Sequence, residues 1–246
     1  MDVLLGGELL GLGLLGGVLT TIAGLGGGLF LVATLGVLRG PHEALAISTP
    51  ALLLANLHRA ILFRRDVDRR VAGAIALGAI PGAIAGGLLL PALPDGLVAA
   101  LLVVATVFAV LQRRRVSMLS PGRKALALSG GGIGAIAATS GGGGVLVGPV
   151  LMAAGLTGSA YVGTVAACGV AIHVGRICGY GLSGLLTQSA LPEIALVSIG
   201  LLTGNVAGRH LRRHASAQLV MRLEIAALAC AAISGVWGVV HGRSPF

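Results

Sequence analysis

The residues best placed to do chemistry in this chain are glycines rather than acids or nucleophiles. "GLGGGLFLV" (24–32) and "SGGGGVLVGP" (140–149) each put at least three consecutive glycines inside a strongly apolar stretch. Glycine reaches positive φ without a steric penalty and leaves its backbone accessible. A glycine run can therefore interrupt a membrane helix. The helix that restarts after it offers unpaired N–H groups and the positive end of its dipole, a natural anion site. Such amides are tolerated at membrane depth only where protein covers them or where they line a polar cavity. Gly26, Gly27, Gly28, Gly142, Gly143 and Gly144 are the candidate backbone ligands, and Thr21, Thr139 and Ser140 are candidate hydroxyl donors. The competing reading is close helix packing, the commoner use of membrane glycine.

Few other polar groups lie deep in apolar sequence. Arg59 and Arg176 stand about one turn from the ends of their blocks. An intramembrane arginine is a functional candidate by default. Its long stem can equally carry the charge to the interface, where the pair would draw anions to two entrances. His173, one turn before Arg176, could bind an oxyanion or carry a proton. Asn56 and Asn205 are either ligands or interhelical hydrogen-bonding groups, and His58 is expected near the inner interface. Glu8, Glu193 and Glu224 fall toward block ends, so no buried proton relay is evident. Cys168, Cys178 and Cys230 show no metal-ligand spacing. Without a nucleophile–base pair, a metal cluster or an ATP-binding motif, the expectation is a non-enzyme with no cofactor.

The composition says what must position these groups. Of 246 residues 56% are hydrophobic and 10% charged, with a mean hydropathy of +0.99. A soluble domain needs far more charged surface, so the chain reads as a polytopic membrane protein. The net charge of +9 does not indicate nucleic acid. Its basic residues cluster in short loops, at Arg64, Arg65, Arg69 and Arg70, at Arg113 to Lys124, and at Arg209, Arg212 and Arg213. That is the positive-inside pattern. The start, "MDVLLGGELL", carries acids where a signal peptide is basic, so the first segment is expected to be retained. Continuous Leu/Ala/Val/Gly runs exclude alternating barrel strands, and the 42 glycines suit helices packed in lipid.

Eight apolar blocks are expected, at 3–38, 44–63, 71–90, 96–112, 125–155, 160–180, 190–209 and 217–241. Two exceed one span. As a single helix 3–38 would run roughly 54 Å against a core of about 30 Å. With the basic loops in the cytoplasm, 71–90 leaves and 96–112 returns. Block 190–209 must end inside, so 160–180 runs outward and 125–155 begins and ends inside. A block that returns to its own side is a hairpin, and this one carries a glycine cluster. If 3–38 is also a hairpin, the N-terminus is outside and the two halves have opposite orientation.

An internal repeat follows the same division. Gly26 to Gly28 align with Gly142 to Gly144 at an offset of 116. "ANLHRA" aligns with "AIHVGRI" at 117, which sets Asn56 opposite His173 and Arg59 opposite Arg176. "GAIAGG" aligns with "GNVAGR" at 122. Ordered matches with small drift indicate duplication, with repeats at 1–115 and 116–246 forming one membrane domain. The expected fold is thus all-α, two inverted repeats, each opening with a broken or hairpin helix.

With "GLGGGLFLV" and "SGGGGVLVGP" each opening a half of about four hydrophobic blocks, the chain resembles the TauE/SafE sulfite exporter family over essentially its whole length. The resemblance implies a secondary transporter of sulfite, thiosulfate or organosulfonates in the bacterial inner membrane. Its partners would be a small anion and the lipid bilayer, with no nucleic acid; self-association is compatible with it. The alternative is a non-transporting scaffold or the permease subunit of a larger complex. The family often has a proline shortly after the glycines. Pro149 supplies it in the second half, whereas Ala33 stands in the first, so the two breaks are expected to differ in shape.

Overall fold

The computed structural model describes residues 3–23, 26–112 and 121–241. Among them the chain forms ten α-helices, two short 3-10 turns and no strand. The helices are α1 (Val3–Ala23), α2 (Gly27–Arg39), α3 (Pro41–Leu62), α4 (Arg69–Leu89) and α5 (Asp95–Gln112), then α6 (Arg123–Ser140), α7 (Gly143–Ala153), α8 (Gly158–Leu182), α9 (Leu191–Arg212) and α10 (Ala217–His241). Five stretches are long and apolar enough to cross a membrane: Leu4–Ile22, Pro41–Leu62, Arg69–Ala92, Gly158–Leu182 and Gln188–Arg212. The protein is a multi-pass membrane protein, and large apolar side chains such as Leu77, Val104, Leu128 and Ile233 are exposed on its outside.

The two overlong blocks are each two helices. Block 3–38 divides into α1 and α2, and block 125–155 into α6 and α7. The helices after the breaks are short, 13 residues in α2 and 11 in α7. At about 1.5 Å per residue they run only ~20 and ~17 Å, too short to cross alone. Each doubles back on its predecessor. Gly16 of α1 faces the Gly27 carbonyl and Leu31 of α2, and Gly143 of α7 lies against Ala137 of α6.

The closest packing joins helices distant in sequence. α1 lies along α9, and α4 lies along α6. Small residues at four-residue spacing make both approaches. Gly13 and Gly17 face Gly200 and Gly204, while Gly78, Gly82 and Gly86 face Ala127, Gly131 and Ala135. A Cβ on any of these seven glycines of α1, α4 and α9 meets the backbone of the opposing helix. Close packing by glycine is therefore real in this chain, and it extends to Gly27, where a Cβ would run into the Gly16 carbonyl.

Polar contacts tie the helix ends. Asp68 caps α4 by accepting from the Arg70 and Val71 amides, both at 3.0 Å, which satisfies two donors the helix cannot. Arg39 at the end of α2 pairs with Glu193 at the start of α9. His42 lies 2.6 Å from Asp95 and 3.0 Å from the Leu90 carbonyl, joining α3 to the α4–α5 turn.

Candidate functional site

Two backbone breaks lie in the interior. Gly26 has φ 88°, and Gly141 and Gly142 have φ 78° and 72°. These values favour glycine because an L side chain at positive φ crowds its own carbonyl. Gly26 and Gly142, paired by the triplet alignment, are each the residue directly before a short helix, and in the second run Gly141 also has positive φ. Gly27, Gly28, Gly143 and Gly144 are instead the opening residues of α2 and α7. The Gly26 carbonyl accepts from Phe30 at 2.8 Å, and the Gly142 carbonyl accepts from Val145 at 2.9 Å and Leu146 at 3.1 Å. First-turn amides have no acceptor within their own helix. Gly27 and Gly143 are buried, whereas Gly28 and Gly144 are half-buried with side-chain atoms alone near their Cβ directions. The breaks are neighbours: a Cβ on Gly142 would lie 2.8 Å from Leu29 in the first turn of α2, and one on Gly141 would lie 3.2 Å from Val32.

Helices α3 and α8 pack together beside these breaks and carry the deep polar residues. The Arg59 guanidinium donates to Asn56 Oδ1 at 2.5 Å and to the Thr20 carbonyl at 3.0 Å. Three residues apart again, Arg176 Nη1 lies 3.3 Å from His173 Nδ1. The sequence alignment of Asn56 with His173 and Arg59 with Arg176 thus corresponds to two like-built pairs on two packed helices. Asn56 lies against Gly169, one turn before His173, and a Cβ on Gly143 would lie 3.1 Å from Ile172. One face of α8 therefore touches both the first pair and the second break.

Neither arginine snorkels. Arg59 is 3% exposed and Arg176 1% exposed, and His173 beside them is 6% exposed. The expectation of two charges at the entrances is corrected: hydrogen bonds hold both stems inward, on the C-terminal ends of the broken helices. Arg59 reaches the last turn of α1 directly. Arg176 Nε donates to the Tyr180 hydroxyl at 3.1 Å, and that hydroxyl donates to the Ala138 carbonyl near the end of α6 at 2.5 Å. Cations near a helix C-terminus offset its negative dipole end and unpaired carbonyls. Arg59 Nε and Arg176 Nη2 are buried without a hydrogen-bond partner among the described residues.

The hydroxyl candidates are also corrected. Thr21 donates to Asn205 Oδ1 at 2.9 Å, Thr139 to the Ile136 carbonyl at 3.0 Å, and Ser140 to the same carbonyl at 2.8 Å. All three protons are engaged within the protein. Asn205 donates to the Ala55 carbonyl at 3.1 Å and so bridges α9 to α1 and α3. Two participants escape a reading of the sequence. Tyr180 is four residues after Arg176, a spacing that puts both on one helix face. Arg212 is assigned to a loop by charge, yet it ends α9 and donates to the Thr21 carbonyl at 3.1 Å.

Among the described residues no group of His, Cys, Asp and Glu could hold a metal ion. The family model for the sulfite exporter TauE/SafE matches residues 9–235. No curated protein and no solved structure gives a significant match. Because the family match runs through both broken helices and both buried arginine pairs, the chain belongs to the sulfite exporter TauE/SafE family.

Proposed function

We propose that this member of an exporter-type membrane transporter family moves small oxyanions, with sulfite, thiosulfate or an organosulfonate as cargo. The cargo site lies between the α2 and α7 N-termini and the facing sides of α3 and α8. The observation that carries this reading is the buried, unpartnered Arg176 Nη2 beside His173, on the α8 face that also packs against the second break. A buried guanidinium N–H with no acceptor costs desolvation energy. An oxyanion would supply the acceptor, and first-turn amides such as those of Gly28 and Gly144 would supply further donors.

Alternating access fits the packing. The first helix of one half lies on the fourth helix of the other, α1 on α9 and α6 on α4. That exchange is what two inverted repeats at 1–115 and 116–246 would produce, and rocking one against the other would open the site to each side in turn. An inside-negative potential favours anion efflux.

The test is flux with the purified chain alone in liposomes. Saturable transport of sulfite, thiosulfate or a sulfonate is expected, with mutual competition between cargoes. A correctly folded chain that moves none of them would favour the scaffold or subunit role.

A further inference from the structure

A second basic site lies apart from the buried pairs. The C-terminal ends of α3 and α9 enclose a cavity of about 210 Å³ lined by His58, Leu62, Val206, Arg209, His210 and Arg213. Four of its six lining residues are basic and none is acidic. His58 Nδ1 is buried there without a hydrogen-bond partner among the described residues. The cavity is smaller than the ~300–1,000 Å³ usual for cofactor-sized ligands.

Its surroundings are apolar in one direction. Leu54, Leu57 and Ile61 on α3, and Ile199 and Val206 on α9, are exposed large hydrophobics. Helical spacing stacks Leu54 above His58, and Ile199 above Val206 and His210. A bilayer-facing apolar surface therefore runs into a basic cavity at the end of the span where the basic loops lie, the cytoplasmic end by the charge rule. A free inorganic oxyanion matches only the basic end. A phospholipid matches both.

We infer that this cavity is a headgroup site for an anionic phospholipid of the cytoplasmic leaflet. The phosphate sits between Arg209, Arg213 and His58, and the acyl chains lie along the exposed faces of α3 and α9. This inference depends on the membrane location alone and not on the cargo site.

The test is native mass spectrometry of the full chain with phosphatidylglycerol or phosphatidylcholine, beside thermal melts in the same lipids. The wild type should retain phosphatidylglycerol and be stabilised by it, with no comparable effect of phosphatidylcholine. The double variant Arg209→Gln/Arg213→Gln should lose on the order of tenfold in phosphatidylglycerol affinity, as two basic contacts to an anionic headgroup would imply. Arg64→Gln/Arg65→Gln removes equal charge from an exposed loop and should change affinity little. Equal loss in both double variants would show general surface attraction and overturn the proposal. Retention unchanged by Arg209→Gln/Arg213→Gln would also overturn it. So would displacement of the lipid by millimolar inorganic phosphate or sulfite, which would make the cavity a site for free oxyanions.

Discussion

The two broken helices begin from like sequence and are finished by different chemistry. At the first, the α1 end is held by two guanidinium groups, Arg59 on the Thr20 carbonyl and Arg212 on the Thr21 carbonyl. At the second, a tyrosine stands between the cation and the helix end, with the Tyr180 hydroxyl on the Ala138 carbonyl and Arg176 behind it. Among the described residues both terminal nitrogens of Arg59 have acceptors and its Nε has none, whereas in Arg176 the nitrogen without one is the terminal Nη2. On the proposed reading, the first of these charges serves mainly the α1 end and the second keeps a terminal N–H for cargo. Ala33 and Pro149 each occupy the seventh position of their short helices. Gly26 and Gly142, the residues directly before these helices, both have positive φ.

The largest way to break this comparison is at the backbone. Gly142→Leu places a side chain at φ 72° and against Leu29. Positive φ costs roughly 1–2 kcal/mol, and overpacking adds about 1–3 kcal/mol. Loss of folded protein in a melting assay is expected, whereas Gly144→Ala, whose nearest neighbour is Val165 at 3.7 Å, should fold and melt close to wild type.

The arginines sharpen the comparison next. Arg59→Gln leaves the Thr20 carbonyl and Asn56 short of a donor, a cost of about 1–3 kcal/mol for each unsatisfied buried group. The expected result is a lowered melting temperature. Arg176→Gln should reduce sulfite flux in liposomes by about tenfold or more, the value of one charge-assisted contact, with a smaller change in melting. If both variants lose stability equally and flux follows stability, the division of roles is wrong.

Tyr180→Phe removes one hydroxyl that serves Arg176 and the α6 end together. A loss of about 1–2 kcal/mol in stability is expected. Freed from the hydroxyl, Arg176 should also shift cargo preference, measurable as a changed ratio of sulfite to thiosulfate flux. The smallest effect is expected from Thr21→Val. It removes a neutral hydrogen bond worth about 0.5–1.5 kcal/mol, and Asn205 keeps its bond to Ala55. The apparent Km for the anion should not move, because the Thr21 proton already points at Asn205 rather than at a ligand.

Much of the framework was legible from particular residues. Block lengths and the positive-inside rule make a hairpin of 125–155 without reference to its glycines, and the structure divides that block at Gly141–Gly142. The i, i+3 pairs Asn56–Arg59 and His173–Arg176 emerged from the repeat alignment. What failed had a common cause. Arginine near a block end can snorkel or turn inward, and a hydroxyl can donate outward or to its own helix. Sequence spacing fixes neither choice, because each depends on which acceptor from another helix lies within about 3 Å.

Sequence by itself determined the membrane solvent, the helical class, the glycine breaks and the presence of two arginines inside apolar blocks. Those follow from local terms: apolar length, glycine's freedom at positive φ and the cost of charge in hydrocarbon. Tertiary structure alone decided that α1 lies on α9 and α6 on α4, and that the second break packs against the start of α2. It also decided that Arg59 is engaged at both terminal nitrogens while Arg176 is not. The physical reason is range. Helix formation and insertion are set within one segment, whereas a buried guanidinium's partners come from helices far apart in the chain.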